Sequence, residues 1–274
     1  TSTQAKVQAK NFVLATERTA PRKVRRLGIE VIEAIFKFET AVGRGHGVVR
    51  LLANQPEQAW VLLTTLDELK GHEEQIGTNR PSGDAYSRNF GGSNWLDQRT
   101  IERAFEDRDP VVLVVGGGQN GLSVAARLKQ LKIDTLVVDK YPRIGDNWRV
   151  RYHSLALHNQ VHVNDLPYMP FPPSYPKYVP KDMLGNWLEM YAEAMQLNCW
   201  TGTELTKGSF DSSTKRWTVT LKRADGSERV MHPRHVIFSN GTSGIARVPD
   251  LPGLKDFAGD KFHSHGFKSG VAWR

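Results

Sequence analysis

Residues 111 to 139 hold the strongest constraint on what this chain can fold into. Val111-Val112-Leu113-Val114-Val115 is a short, wholly apolar run, and Gly116-Gly117-Gly118-Gln119-Asn120-Gly121 follows it without a break. Leu122, Ala125, Ala126 and Leu128 then recur at helical spacing, with Arg127 and Lys129 outward. Thr135-Leu136-Val137-Val138-Asp139 is a second apolar run, ending in an acid. A strand buried on both faces reads as a continuous apolar run, whereas a helix packed on one face reads as a stripe. Strand, glycine turn, helix and strand within about 30 residues is the setting that gives a G-x-G-x-x-G spacing its meaning. With 24 glycines in the chain, the spacing alone would be weak. Here Gly116 allows the tight turn, Gly118 lets backbone approach a diphosphate, and Gly121 permits close packing of helix on strand. The helix N-terminus, including Gln119 and Asn120 after Gly117, faces the phosphates with free N–H groups. Asp139, at the end of the second strand, is placed to take a ribose diol. The pattern predicts a dinucleotide-binding, Rossmann-like α/β domain.

The flanking chain divides around this unit. Before it, Phe36 and Phe38 alternate with Lys37 and Glu39, and Arg44-Gly45-His46-Gly47 reads as punctuation before Val48 to Leu52. Asn54-Gln55-Pro56 reads as a turn, and Trp60 to Leu66 as a further strand. The expectation is a piece of antiparallel α+β module over residues 1–95, its last part (75–95) a linker rich in Gly, Asn, Ser and Arg. The α/β domain then spans 96–274, opening with a helix over 96–108 that Asp109-Pro110 ends. Pro180-Lys181-Asp182 opens a helix through Met195, with Asp182 as its N-cap. Three strand-like pieces (200–205, 216–221 and 228–231), separated by turn residues, predict a small β-meander, and Val236 to Ser239 predicts one more strand.

The net charge of +8 invites a nucleic-acid reading until it is localised. Lys6, Lys10, Arg18, Arg22, Lys23, Arg25 and Arg26 stand against Glu17 alone in residues 1–29, which therefore hold most of the excess. No reading module or aromatic interleaving accompanies them, so the expectation is a solvated basic segment without nucleic acid as partner. An organelle-targeting segment is the weaker alternative. The longest apolar run is about five residues, against the ~20 a membrane-spanning helix needs. No membrane span is expected, and the location is read as cytoplasmic. Cys199 is the only cysteine, which excludes a disulfide framework, a Cys-x-x-Cys redox pair and a multi-cysteine zinc site. His153, His158 and His162 fit no ligand spacing, so no metal is expected.

After Asp139 the chain reads Lys140-Tyr141-Pro142-Arg143-Ile144-Gly145-Asp146-Asn147-Trp148-Arg149, then Arg151-Tyr152-His153-Ser154-Leu155 through His158-Asn159. Phe257, Gly259, His263 and Phe267 match the fingerprint Phe-x-Gly-x-x-x-His-x-x-x-(Phe or Tyr). On these segments the chain resembles the class B flavin-dependent monooxygenases, and more closely their flavin-containing monooxygenase branch, over about residues 105–274. One departure is that Asp146 replaces the second glycine of the family's Gly-Gly-x-Trp segment. The resemblance implies FAD on the glycine turn, with Asp139 and Lys140 beside its ribose. It also implies Asn147 and Trp148 near the ribityl chain or diphosphate, and His158 and Asn159 near the isoalloxazine. The first ~95 residues are similar to a partial SnoaL-like domain, to which no chemistry is assigned.

The activity implied is an NADPH-using monooxygenation of a small soft nucleophile, an amine or sulfide, through a flavin hydroperoxide. The cofactor carries that chemistry, so no catalytic side chain is singled out. The family's second glycine motif, for NADPH, lies beyond Ala272-Trp273-Arg274. The chain is therefore expected to be the N-terminal part of a longer enzyme and inactive alone. Another FAD- or NAD(P)-binding oxidoreductase and a non-catalytic nucleotide-binding protein remain alternatives, and the sequence does not indicate an oligomeric state.

Overall fold

The computed structural model describes residues 6–82, 91–242 and 246–271, and the chain divides into two compact units, 1–80 and 81–274. Part of the expected linker (83–90) and the chain end at Ala272 to Arg274 lie outside the described residues.

The first unit is built on one antiparallel sheet. Its strands are β1 (Lys10–Leu14), β2 (Arg22–Arg26), β3 (Ile29–Glu39), β4 (Gly43–Leu52) and β5 (Gln55–Leu69), in the order β1-β3-β4-β5, with β2 also pairing β3. The glycines read as punctuation are instead inside β4. Cβ atoms at Gly45 and Gly47 would lie 2.8 Å and 2.3 Å from the rings of Phe38 and Phe36, so their absence lets those rings lie across the neighbouring strand. The basic segment is partly built into this sheet as β2. Arg22, Arg26 and Arg50 converge on Glu33, with Arg50 Nε donating at 2.7 Å, and Lys23 pairs with Glu30 at 2.9 Å.

The second unit follows the α/β pattern. α1 (Trp95–Ala104) precedes β6 (Val112–Val115), α2 (Gln119–Gln130) and β7 (Thr135–Val138), and a short α3 (Asp146–Arg149) comes before α4 (Lys181–Ala194). β8 (Cys199–Trp200), β9 (Thr203–Asp211), β10 (Arg216–Arg223), β11 (Glu228–Met231) and β12 (His235–Phe238) complete it. The parallel sheet has the order β12-β6-β7-β8, and β11-β10-β9 is the meander. Alternation along the central strands separates two cores. Val112, Val114 and Val137 face Leu122, Ala125 and Ala126 of α2 and Leu188 and Tyr191 of α4. Leu113, Leu136 and Val138 face Val219, Leu221 and Met231 of the meander, together with Phe105. Both faces of the central strands are thereby covered, which is why their sequences carry no polar alternation.

Three local expectations are corrected. α1 stops at Ala104 because Phe105 turns left-handed (φ 50°) to bury its ring in the second core. The single strand expected over 200–205 is broken at Gly202 (φ 57°), so β8 ends in the parallel sheet and β9 starts the meander. Asp182 does not cap α4; Pro180 holds that position, and the Asp182 carboxylate accepts from Lys181 Nζ at 2.7 Å.

The Glu33 cluster sets a pH dependence. The guanidinium groups of Arg26, Arg50 and Arg22 hold its carboxyl down to about 2, so the folded state binds that proton less tightly than the unfolded chain does. Its contribution is complete above the ordinary carboxylate range and is lost as pH falls toward about 2. Thermal unfolding followed by circular dichroism is expected to show a shallower acid-side fall of the midpoint in E33Q than in the unsubstituted chain. Parallel falls would remove Glu33 from the explanation.

Candidate functional site

The candidate site is where β6 and β7 end. Gly116 leaves β6 with φ 109°, its N–H donating to Val138 O at 2.8 Å. A Cβ at Gly116 would lie 2.5 Å from Ser239 O, and one at Gly121 would lie 1.9 Å from Gly116 O. Only hydrogen at these two positions lets the turn and the first residues of α2 close onto the strand ends. Gly118 is the N-cap of α2 and supplies no capping side chain, and the first turn of the helix contains no acid. The first-turn N–H groups of a helix have no intrahelical acceptor and carry partial positive charge. A Cβ at Gly118 would meet only Asn147 Nδ2, at 3.3 Å, a tight approach that places that amide against the turn.

Two further pieces reach this turn. Trp148 Nε1 donates to Gln119 Oε1 at 3.2 Å, joining α3 to the start of α2. Asp139, one residue beyond β7, accepts from Gly117 N at 2.7 Å and from Tyr141 N at 2.8 Å. The structure therefore brings Gly116, Gly117, Gly118, Gln119, Gly121, Asp139, Asn147 and Trp148 together. Asn120 is exposed on the first turn of α2, and Lys140 is exposed with Nζ 5.6 Å from the Tyr141 ring centre. His158 and Asn159 are exposed on a segment tied to the chain that leads into α4. Leu157 N donates to Val179 O at 2.9 Å, Val161 N to Lys177 O at 2.8 Å, and Lys181 N to Leu155 O at 3.0 Å.

Sequence reasoning missed what holds α3 in place. Gly145 (φ 88°) packs so tightly on α4 that a Cβ there would lie 2.2 Å from Gly185 O. Arg149 donates to Asp146 Oδ1 at 2.7 Å, to Ile144 O at 2.9 Å and to Glu189 Oε2 at 2.9 Å. The Asp146 carboxylate is thus paired within α3, and the indole of Trp148 still reaches Gln119. The available signal was Gly185, a glycine in the interior of an otherwise regular helical stretch, which marks a close approach. Arg151 was also passed over; its guanidinium carbon lies 4.9 Å from the Trp148 ring centre. The 257–267 fingerprint ends at the same place. His263 Nδ1 accepts from His265 N at 3.1 Å, Lys268 O accepts from His153 N at 2.8 Å, and Lys268 Nζ donates to Val150 O.

Among the described residues no three His, Cys, Asp or Glu side chains are grouped to hold a metal ion, and no helix is long and apolar enough to cross a membrane. Cys199 is packed against the first core, and burial pushes its thiol up to about 12. The unsubstituted folded protein is expected to leave this thiol unmodified by a disulfide reagent at pH 8 and to release it on unfolding. Rapid native modification would show that β8 opens. At the turn, G121A would force the helix off Gly116 O. It is expected to lower nucleotide affinity at least tenfold in a titration, by displacing the first-turn amides that would meet the phosphates. Unchanged affinity would remove the turn from the binding surface.

Comparison with known proteins bears on this geometry. A family model described as flavin-binding monooxygenase-like matches residues 109–274. The indole-3-pyruvate monooxygenase YUCCA1 of Oryza sativa subsp. japonica is 34% identical over 176 residues, covering 64% of this chain and 42% of that protein. The probable indole-3-pyruvate monooxygenase YUCCA4 of Arabidopsis thaliana is 32% identical over 165 residues, covering 60% and 39%. Among solved structures, the flavin-containing monooxygenase from Stenotrophomonas maltophilia superposes with a TM-score of 0.55 at 27% identity, covering 61% of this chain and 48% of that one. The chain spans about two fifths to one half of the length of these relatives.

Proposed function

Because the chain belongs to the flavin-binding monooxygenase-like family, whose model covers more than half of it, we propose that its second unit is the FAD-binding part of an NADPH-dependent monooxygenase. The observation that carries the reading is the glycine turn. Its two closest approaches admit no side chain, and the first turn of α2 is acid-free and uncapped, with the Asn147 amide close beside Gly118. These residues fit a flavin dinucleotide. The N–H groups of Gly118, Gln119 and Asn120 would hold its diphosphate, since an uncapped helix start binds anions. Asp139 and Lys140 would stand beside the adenosine ribose. Asn147 and Trp148 would border the diphosphate and ribityl chain, and His158 and Asn159 the isoalloxazine.

Bound there, the flavin would supply oxygen activation, and NADPH the electrons, for oxygenating a small soft nucleophile such as an amine or sulfide. This chain's residues would bind and orient the cofactor. Trp148 would keep Gln119 turned toward α3, while the Arg149 contacts to Asp146 and Glu189 would keep α3 seated on α4. The assignment is tested by mixing purified protein with FAD, removing free ligand on a desalting column and recording the visible spectrum. Flavin bands retained near one equivalent are the expected result. A colourless protein that retains NAD instead would overturn the FAD assignment.

A further inference from the structure

Asp139 was expected to wait at the end of β7 for a ribose, yet both of its carboxylate oxygens already accept backbone amides. Oδ2 takes the Gly117 N–H at 2.7 Å and Oδ1 takes the Tyr141 N–H at 2.8 Å. The backbone of Asp139 is held as well, its N–H donating to Trp200 O at 3.0 Å and its carbonyl accepting from Thr203 N at 2.9 Å. The side chain therefore starts from a fixed point on the sheet. Gly117, the middle glycine of the turn, is drawn down on it. A Cβ at Gly117 would lie 3.2 Å from Asp139 Oδ2 and 2.6 Å from Ile144 Cδ1.

A carboxylate that served only ribose hydroxyls would have no reason to hold the Gly117 amide. Hydrogen bonds to a charged acceptor are roughly twice as strong as neutral ones. This bond joins the turn, which no regular secondary structure fixes, to a residue that the sheet does fix. We propose that Asp139 is a positioning residue of the glycine turn. By holding Gly117 it shapes the turn before the cofactor arrives, and so acts on the diphosphate through the backbone. A ribose contact is not displaced, because each carboxylate oxygen has a second lone pair. The inference rests on the reading that a flavin dinucleotide occupies this turn, and it concerns how the turn is made ready for it.

D139N keeps the shape of the side chain but turns an NH2 donor toward one of the two amides. D139E keeps the charge and adds a methylene, which pushes the carboxylate past Gly117. In the full chain without cofactor, hydrogen exchange read by NMR is expected to show Gly117 or Tyr141 exchanging about tenfold faster in D139N. Dissociation constants are then measured for FAD and for an FAD analogue lacking the adenosine 2′-hydroxyl. D139N is expected to weaken both ligands by the same factor, about tenfold, and D139E is expected not to restore the loss.

Unchanged exchange at both amides would overturn the proposal. So would a deficit that vanishes with the 2′-deoxy analogue, or full rescue by D139E, since either assigns Asp139 to the ribose alone. A lowered melting temperature with unaltered dissociation constants would also overturn it, leaving a purely structural role. Should D139N fail to fold, D139E carries the same exchange and binding arms. Failure of the unsubstituted chain to bind FAD would reject the cofactor reading, while the exchange arm would still decide whether Asp139 shapes the turn.

Discussion

Where α2 meets the end of β6, backbone packs on backbone with no side chain between. The Gly116 carbonyl lies where a Cβ of Gly121 would be, and the Gly116 backbone lies against Ser239 at the end of β12. Such contact fixes the helix start relative to three strand ends, because nothing in it can change rotamer. The uncapped first turn is consequently held in one place, with Asn147 beside Gly118 and Trp148 bonded to Gln119. The rest of the second unit maintains this arrangement. The two cores clamp β6 and β7 from both faces, and α4 carries α3 through the Gly145–Gly185 contact and the Arg149 hydrogen bonds.

Electrostatics follow the same division. Carboxylates near the turn are engaged by partners: Asp146 with Arg149, Glu189 with Arg143 and Arg149, and Asp139 with two amides. The helix start, with no acid in its first turn, is left as the electropositive element. An anionic group such as a phosphate is ligand chemistry that such a helix start accepts. Asp146, standing where the resembled family has glycine, is compatible with this because its charge is spent within α3.

What the sequence made legible were features produced by local pattern. Val112 to Val115 and Thr135 to Val138 are strands whose both faces are covered, so apolar runs identify them directly. The stripe of Leu122, Ala125 and Ala126 identifies α2 for the same reason, and Asp139 follows from the end of its strand. Features set by distant neighbours were not legible. Gly45 and Gly47 read as punctuation because the rings that cross them, Phe38 and Phe36, lie on another strand. The break at Gly202 depends on two sheets meeting there. The end of α1 depends on a core that needed Phe105. Within the candidate site the glycines and Asp139 were readable as types at spacings, whereas Asn147 and Trp148 were implied only by the family resemblance. The bond from Gly117 to Asp139 and the pairing of Trp148 with Gln119 required the fold.

The most direct measurement is a crystal structure of the chain soaked with FAD, read for the position of the diphosphate. Diphosphate oxygens within hydrogen-bond distance of the Gly118, Gln119 or Asn120 amides are expected, with the adenosine ribose on the Asp139 side. A diphosphate bound away from the first turn of α2, with that turn unchanged, would contradict the central claim.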